Sequence, residues 1–263
     1  MSATHDATDP QTWGPAIDEA VNALQRGGLV VIPTDTVYGV AAEAFDPTAV
    51  AAIGAAKGRD DATPAPVLIP DVRTLDGLAA DIPAHARALA EAFWPGALTL
   101  LLTAQPSLQW DLGDARGTVA LRVPDHPAAL ALLRRTGPLA VTGAHRSGQG
   151  APLEVAGARE QLGDAVALYL DGGAAPGGAS SVVDATVTPP RLVREGLIGL
   201  ERLREVAPGV VGPDDEPTQT EPTQTEPTQT EPTQTEPTGA DPATADPADV
   251  RVADVRVADG ADG

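Results

Sequence analysis

The five-residue unit EPTQT repeats four times in register from Glu216 to Thr235, and a looser period of five continues through EPTGA, DPATA and DPADV. A proline at every fifth position removes a backbone donor each time and excludes both helix interior and central strand. Residues 212–263 hold 13 acids and two bases, a net −11. Few apolar groups and strong like charge leave nothing to offset the entropy of ordering, so residues 209–263 read as a disordered acidic Pro/Thr-rich tail. Any fold has to be built from what comes before.

Residues 1–13 carry no periodic apolar pattern and are expected to be flexible; residues 14–208 are expected to form a single globular domain. Only 3 Trp, 2 Tyr and 2 Phe occur in 263 residues, so aliphatic side chains must make the core. The absence of Cys excludes disulfides and thiolate metal sites, and the four scattered His do not suggest a metal centre. No apolar run approaches the roughly 18 residues of a membrane helix, and the N-terminus lacks the basic start of a signal peptide. A soluble cytoplasmic protein without a membrane partner is the expectation. The net charge is −20, and the tail accounts for about half of it: residues 1–211 carry 24 acids and 15 bases, a net −9. That body excludes a general nucleic-acid binder but leaves room for a local basic pocket.

Strand-like and helix-like runs alternate from 14 to 208, the pattern of an α/β fold. LVVIP, APVLIP, ALTLLLTA, TVALRVP, PLAVTG, AVALYLD and SSVVDAT read as strands. Helices are expected over PAIDEAVNALQRGG, over DPTAVAAIGAAKG with Asp46 as N-cap and Pro47 at the first turn, over DIPAHARALAEAFW capped by Asp81, and over HPAALALLRR and LEVAGAREQLG.

Four stretches can carry chemistry. VVIPTDTVYG runs a strand into a turn with Thr34, Asp35, Thr36 and Tyr38 at the strand's C-terminal end, where open α/β sheets bind ligands; a polar turn capped by its own hydroxyls is the bland alternative. AAKGRDD holds Lys57, the only lysine beside sixteen arginines. Lys57 and Arg59 could grip phosphate oxygens, or Lys57 could be a solvated helix end. Arg122, at the end of TVALR, is equally open as an anion clamp or a surface residue. Glycine-rich loops follow LAVTG and YLDGG, the second leading to Ser180 and Ser181, with Arg194 further on in LVREG. Such loops expose backbone N–H groups to anions. Trp94 is expected to be structural, and His126 to cap a helix. No P-loop, G-x-S-x-G elbow or H-E-x-x-H occurs.

Taken in order, PTDTVYG (33–39), KGR (57–59), WPGALTL (94–100), VALRVPDHP (119–127), SG (147–148), LDGG (170–173), SSVVD (180–184) and RLVREG (191–196) resemble the YrdC-like L-threonylcarbamoyladenylate synthase family. The resemblance implies a twisted mixed sheet flanked by helices. It implies that L-threonine, bicarbonate and ATP are turned into threonylcarbamoyl-AMP and pyrophosphate, for a downstream tRNA threonylcarbamoyl transferase complex. Carried over by position, it implies Thr34, Thr36, Arg122, Val141 and Ser180 as threonine contacts. Lys57, Arg59, Thr63, Thr118, Gly143, His145, Ala151 and Arg194 would be ATP contacts, with Lys57 and Arg59 as the catalytic cations. Mg²⁺ is expected to bridge the phosphates with few protein ligands, and tRNA itself is disfavoured as a direct partner by the acidic body.

The chain departs from the family at GAH (143–145), where Ser-Ala-Asn is usual, at Asp60, where Pro is common, and at Thr63, where Asn is frequent. Asp60 and Asp61 bring negative charge beside the expected phosphate grip. Residues 212–263 are not expected to fold like the extra C-terminal domain of longer members. Two rival readings are a degenerate paralogue that binds nucleotide or RNA without synthesis, and a carbamoyl-transferring module like that of hydrogenase maturation proteins.

Overall fold

The computed structural model describes residues 2–58, 64–108 and 110–215. The EPTQT repeats and Arg59, Asp60, Asp61 and Thr63 therefore lie outside the described residues. In chain order the elements are β1 (Ala3–Asp6), α1 (Gly14–Gln25), β2 (Val30–Ile32), β3 (Gly39–Glu43), α2 (Pro47–Lys57), β4 (Val67–Leu68), α3 (Leu75–Leu78), α4 (Ala84–Phe93), β5 (Leu98–Thr103), β6 (Thr118–Arg122), α5 (Pro127–Thr136), β7 (Leu139–Gly143), α6 (Val155–Leu162), β8 (Leu168–Asp171), β9 (Ser181–Asp184), β10 (Arg191–Arg194) and α7 (Leu200–Val206). The strands form one mixed sheet in the order β1-β8-β2-β3-β7-β4-β6-β5-β9-β10. Pairs β1/β8, β8/β2, β4/β6 and β5/β9 run parallel, the others antiparallel.

Because strand side chains alternate between faces, the sheet buries two separate apolar sets. On one face Val31, Val40, Val67, Leu98, Leu100, Leu121 and Val183 pack with Ile53 of α2, Leu75 of α3, Leu89 of α4, Leu162 of α6 and Leu203 of α7. On the other, Val30, Ile32, Ala41, Leu139, Val141 and Leu168 pack under Ile17 and Leu24 of α1 and Leu132 of α5. This second cluster includes no residue of β5, β6 or β9. That half of the sheet is left uncovered by the α1–α5 pair, and it is where ligand-facing groups gather.

Asp46 caps α2 as expected, its carboxylate accepting from Thr48 N–H at 2.9 Å and Ala49 N–H at 3.2 Å. Four expectations need correction. Residues 1–13 are not merely a loose end: β1 pairs with β8 from Ala3↔Leu168 to Asp6↔Asp171. The sequence ATHD has no apolar alternation, so backbone pairing against an open sheet edge creates this strand. GVAAE, absent from the expected strands, forms the strand β3 between β2 and β7. Asp81 does not cap α4, which starts after Pro83; the fixed φ of the proline sets an extended entry two residues further on. Finally, the fold runs past residue 208. Leu192 N–H donates to Val211 O at 2.9 Å, and Arg204 reaches the Asp215 carboxylate at 2.7 Å.

Candidate active site

Pro33 ends β2, and the next turns fold both threonines inward. Thr34 Oγ1 donates to Val37 O at 2.6 Å and accepts from Thr36 N–H at 3.1 Å. Its one proton is thereby used, so in the 3.0 Å contact between the two hydroxyls Thr36 is the donor. Thr36 Oγ1 also accepts from Arg122 at 3.2 Å. One lone pair of Thr36 stays open, and it can only accept a hydrogen bond.

Arg122 ends β6 and is only 7 % exposed. Its Nε donates to Gly96 O at 2.9 Å and its second terminal nitrogen to Asp35 at 2.5 Å. Asp35 is fixed in turn by Asp125 N–H at 3.0 Å. Burial lowers the Arg122 pKa and Asp35 opposes that shift, so the guanidinium remains a cation. Three of its five N–H groups are engaged and the others are available to an anion. A guanidinium forked between the PTDT turn and the WPG corner is therefore no surface residue. The polar-turn reading of PTDT is half right: the hydroxyls do bond locally, but facing a cavity.

From the opposite side Arg194 of β10 donates to Ser180 O at 3.0 Å and to Ser180 Oγ at 2.9 Å. Ser180 Oγ also meets Thr99 Oγ1 at 2.9 Å. Thr99 is missing from the sequence-based set. It is the single polar residue in the apolar run LTLLL, and its position on the uncovered parity of β5 is the signal that could have found it.

Lys57 is no solvated helix end: it is 4 % exposed. Gly58 takes the left-handed conformation (φ 64°) that turns the chain after α2. The Lys57 ammonium donates to Gly143 O and, at 2.7 Å, to His145 O, while Ser147 N–H donates back to Lys57 O at 2.9 Å. The lysine thus fastens the turn after β7 to the end of α2. In that turn His145 and Gly143 depend on each other. A Cβ on Gly143 would stand 2.5 Å from His145 Cε1 and 2.7 Å from its Nδ1. The imidazole fills the space that a side chain at 143 would occupy. Burial, then the Lys57 charge, lowers the His145 pKa, so the ring is neutral at neutral pH.

These groups surround a cavity of about 350 Å³. Of the residues singled out from sequence, Thr34, Thr36, Arg122, Val141, Gly143, His145, Ala151, Ser180 and Arg194 line it. Lys57 stands behind its 143–145 wall. Thr118 does not line it: it lies on the same face of β6 as Arg122, in a second cavity of about 770 Å³ with Pro64, Leu101, Ala120 and Asp184. Each of β5 and β6 supplies both cavities from alternate positions, Thr99 and Leu101, Arg122 and Ala120. His126 occupies the N-cap position of α5, but its side chain bonds none of the helix amides, which corrects the capping expectation.

Against a chain of net charge −20, the described lining of the smaller cavity carries two guanidinium groups and no carboxylate. Among the described residues no cluster of His, Asp and Glu could hold a metal ion.

A mixed α/β sheet with cations and hydroxyls converging on its uncovered half-face defines a binder of small zwitterionic or anionic ligands. The sequence pattern of the Sua5/YciO/YrdC family, described as "Telomere recombination", matches residues 22–196, and the chain belongs to that family. It is 51% identical over 207 residues to a Mycobacterium tuberculosis protein named "Putative threonylcarbamoyl-AMP synthase", covering 78% of this chain and 95% of the relative. It is 38% identical to the threonylcarbamoyl-AMP synthase of Bacillus subtilis, covering 79% of this chain and 60% of that one. Among solved structures, that of Pyrococcus abyssi Sua5 complexed with L-threonine superposes with a TM-score of 0.75 at 33% identity, covering 81% of this chain and 62% of that chain. The chain thus spans about three fifths of those two longer relatives.

Proposed function

We propose that this protein is an L-threonylcarbamoyladenylate synthase, forming threonylcarbamoyl-AMP and pyrophosphate from L-threonine, bicarbonate and ATP. The observation that carries the reading is the hydrogen-bond state of Thr36 and Arg122. A hydroxyl with only a lone pair to offer suits an ammonium, and a guanidinium with free N–H groups beside it suits a carboxylate. An amino acid presents both. Ser180, with the neighbouring Thr99, offers hydroxyls to a side-chain hydroxyl. Thr34 and Val141 complete the threonine pocket as a support for Thr36 and an apolar wall.

The nucleotide then lies along the same half-face, its phosphates toward Arg194 and the Gly143–His145 turn held by Lys57, with Ala151 at the rim and Thr118 in the larger cavity beyond. Arg59 and Thr63 complete the set from outside the described residues. Carbamate formed on the threonine nitrogen attacks the α-phosphorus, and charge gathers on the phosphoryl oxygens and the departing pyrophosphate. Positioned cations meet that charge without a covalent enzyme intermediate. A labile acyl adenylate needs a consumer, which we take to be a tRNA threonylcarbamoyl transferase complex in the cytoplasm. No helix among the described residues is long and apolar enough to cross a membrane.

The test is pyrophosphate release by the purified protein with ATP and bicarbonate, with and without L-threonine. Threonine-dependent release together with a threonylcarbamoyl-AMP product is expected. Release that ignores threonine, or none at all, refutes the reading.

A further inference from the structure

Forming the carbamate releases a proton. The threonine ammonium and bicarbonate become the carbamate, one water and one H⁺, and the nitrogen can attack carbon only after its own proton has left. Thr36 can hold the ammonium, but its open lone pair is far too weakly basic to take that proton. The described side chains that line the cavity are apolar groups, hydroxyls, Arg122, Arg194 and His145. Asp35, just behind, is committed to Arg122 and Asp125 N–H. His145 is therefore the one described lining side chain able to exchange a proton near neutral pH.

Its placement suits the task. Gly143 leaves room for the ring, and Lys57 fixes the backbone on either side of it. Nδ1 is closed off, buried and without a hydrogen-bond partner among the described residues. It lies on the ring edge against Gly143, whereas Nε2 would be 3.7 Å from a Cβ there. Nε2 is the nitrogen left to meet a ligand. Among the described residues, Lys57 from α2 is the charge that acts on the ring, and the cavity the ring lines also holds Arg122 from β6 and Arg194 from β10. The adjacent Arg146 is turned away, its Nε donating to Gln161 O at 2.7 Å. Burial, and after it the Lys57 charge, lowers the imidazole pKa and favours its neutral form.

We propose that His145 is the base of the carbamate-forming step: Nε2 takes a proton from the threonine ammonium, the freed nitrogen pair attacks the bicarbonate carbon, and water leaves. The proton then passes from the ring to solvent before the carbamate oxygen attacks the α-phosphorus. This rests on the synthase reading above and assigns a duty that the asparagine usual at this position could not perform.

The experiment follows threonine-dependent pyrophosphate release against pH for the full chain, for His145→Asn and for His145→Ala with and without added imidazole. Calorimetric titration with L-threonine checks that the variants still bind. The wild type should lose kcat/KM for threonine as pH falls through one ionisation. His145→Asn should lose that limb and run about 100-fold slower at neutral pH, with the gap closing as pH rises toward the range where free threonine sheds its own proton. Imidazole should raise the rate of His145→Ala in proportion to its concentration. The proposal is overturned if His145→Asn keeps the wild-type limb and rate, or if its deficit is constant with pH and imidazole has no effect. A wild type without threonine-dependent release at any pH instead refutes the synthase reading and this step with it, whereas an active wild type with an unaffected His145→Asn refutes the step alone.

Discussion

At the scale of single residues the site is a matter of counting protons and lone pairs. Thr36 gives its proton to Thr34, takes one from Arg122 and keeps a single acceptor. Thr36→Val removes that acceptor at nearly constant volume. A hydrogen bond to a charged group contributes about 1.5–3 kcal/mol, so the KM for threonine should rise roughly 10- to 100-fold while the KM for ATP moves little. Steady-state kinetics in each substrate checks this, and an equal rise in both constants would count against the assignment. Gly143 and His145 give a second prediction. Gly143→Ser drives a side chain into the imidazole and should destabilise the fold by about 1–3 kcal/mol, as overpacking does. The double variant Gly143→Ser, His145→Asn should recover most of that loss in chemical denaturation. The two departures of this chain from the usual Ser-Ala-Asn are then one change, since each makes room for the other.

At the scale of elements, α2 links folding to function. Asp46 starts it, Gly58 ends it, and Lys57 in its last turn ties the 143–147 turn to the body. Asp46→Ala removes two accepted N–H bonds at the N-terminus and should cost about 1 kcal/mol of stability. Because the helix sets the position of Lys57, the KM for ATP should worsen with it, while the KM for threonine holds. Denaturant midpoints and paired KM values test both halves. Asp46 and Pro47 make the start of this helix legible in sequence, and the αL glycine makes its end legible. The burial of Lys57 was not legible, because its partners are carbonyl groups 86 and 88 residues away that any residue type would supply. β1 was hidden for a similar reason, since backbone pairing leaves no side-chain pattern.

At the scale of the whole molecule, the last described element, α7, ends at Val206, before the EPTQT repeats begin at Glu216. Contacts group Met1–Thr218 as a unit by itself. A chain ending after Thr218 should therefore keep its melting temperature within about 1–2 °C and its pyrophosphate-release rate, measured on matched preparations; a loss of either would assign the repeats a part in the fold or the reaction. The sequence by itself determined the α/β class, the start of α2 at Asp46 and Pro47, the exclusion of thiolate chemistry and which residues to suspect, since propensity, caps and motif order are local properties. Only the tertiary structure decided that Arg122 is a buried clamp, that Thr99 belongs with Ser180, that Thr118 faces a separate cavity and that His145 fills the place of a side chain at Gly143. The first three of these depend on which strands become neighbours and which sheet face the helices leave uncovered. Pairings between segments 80 or more residues apart are set by packing, and no single segment encodes them.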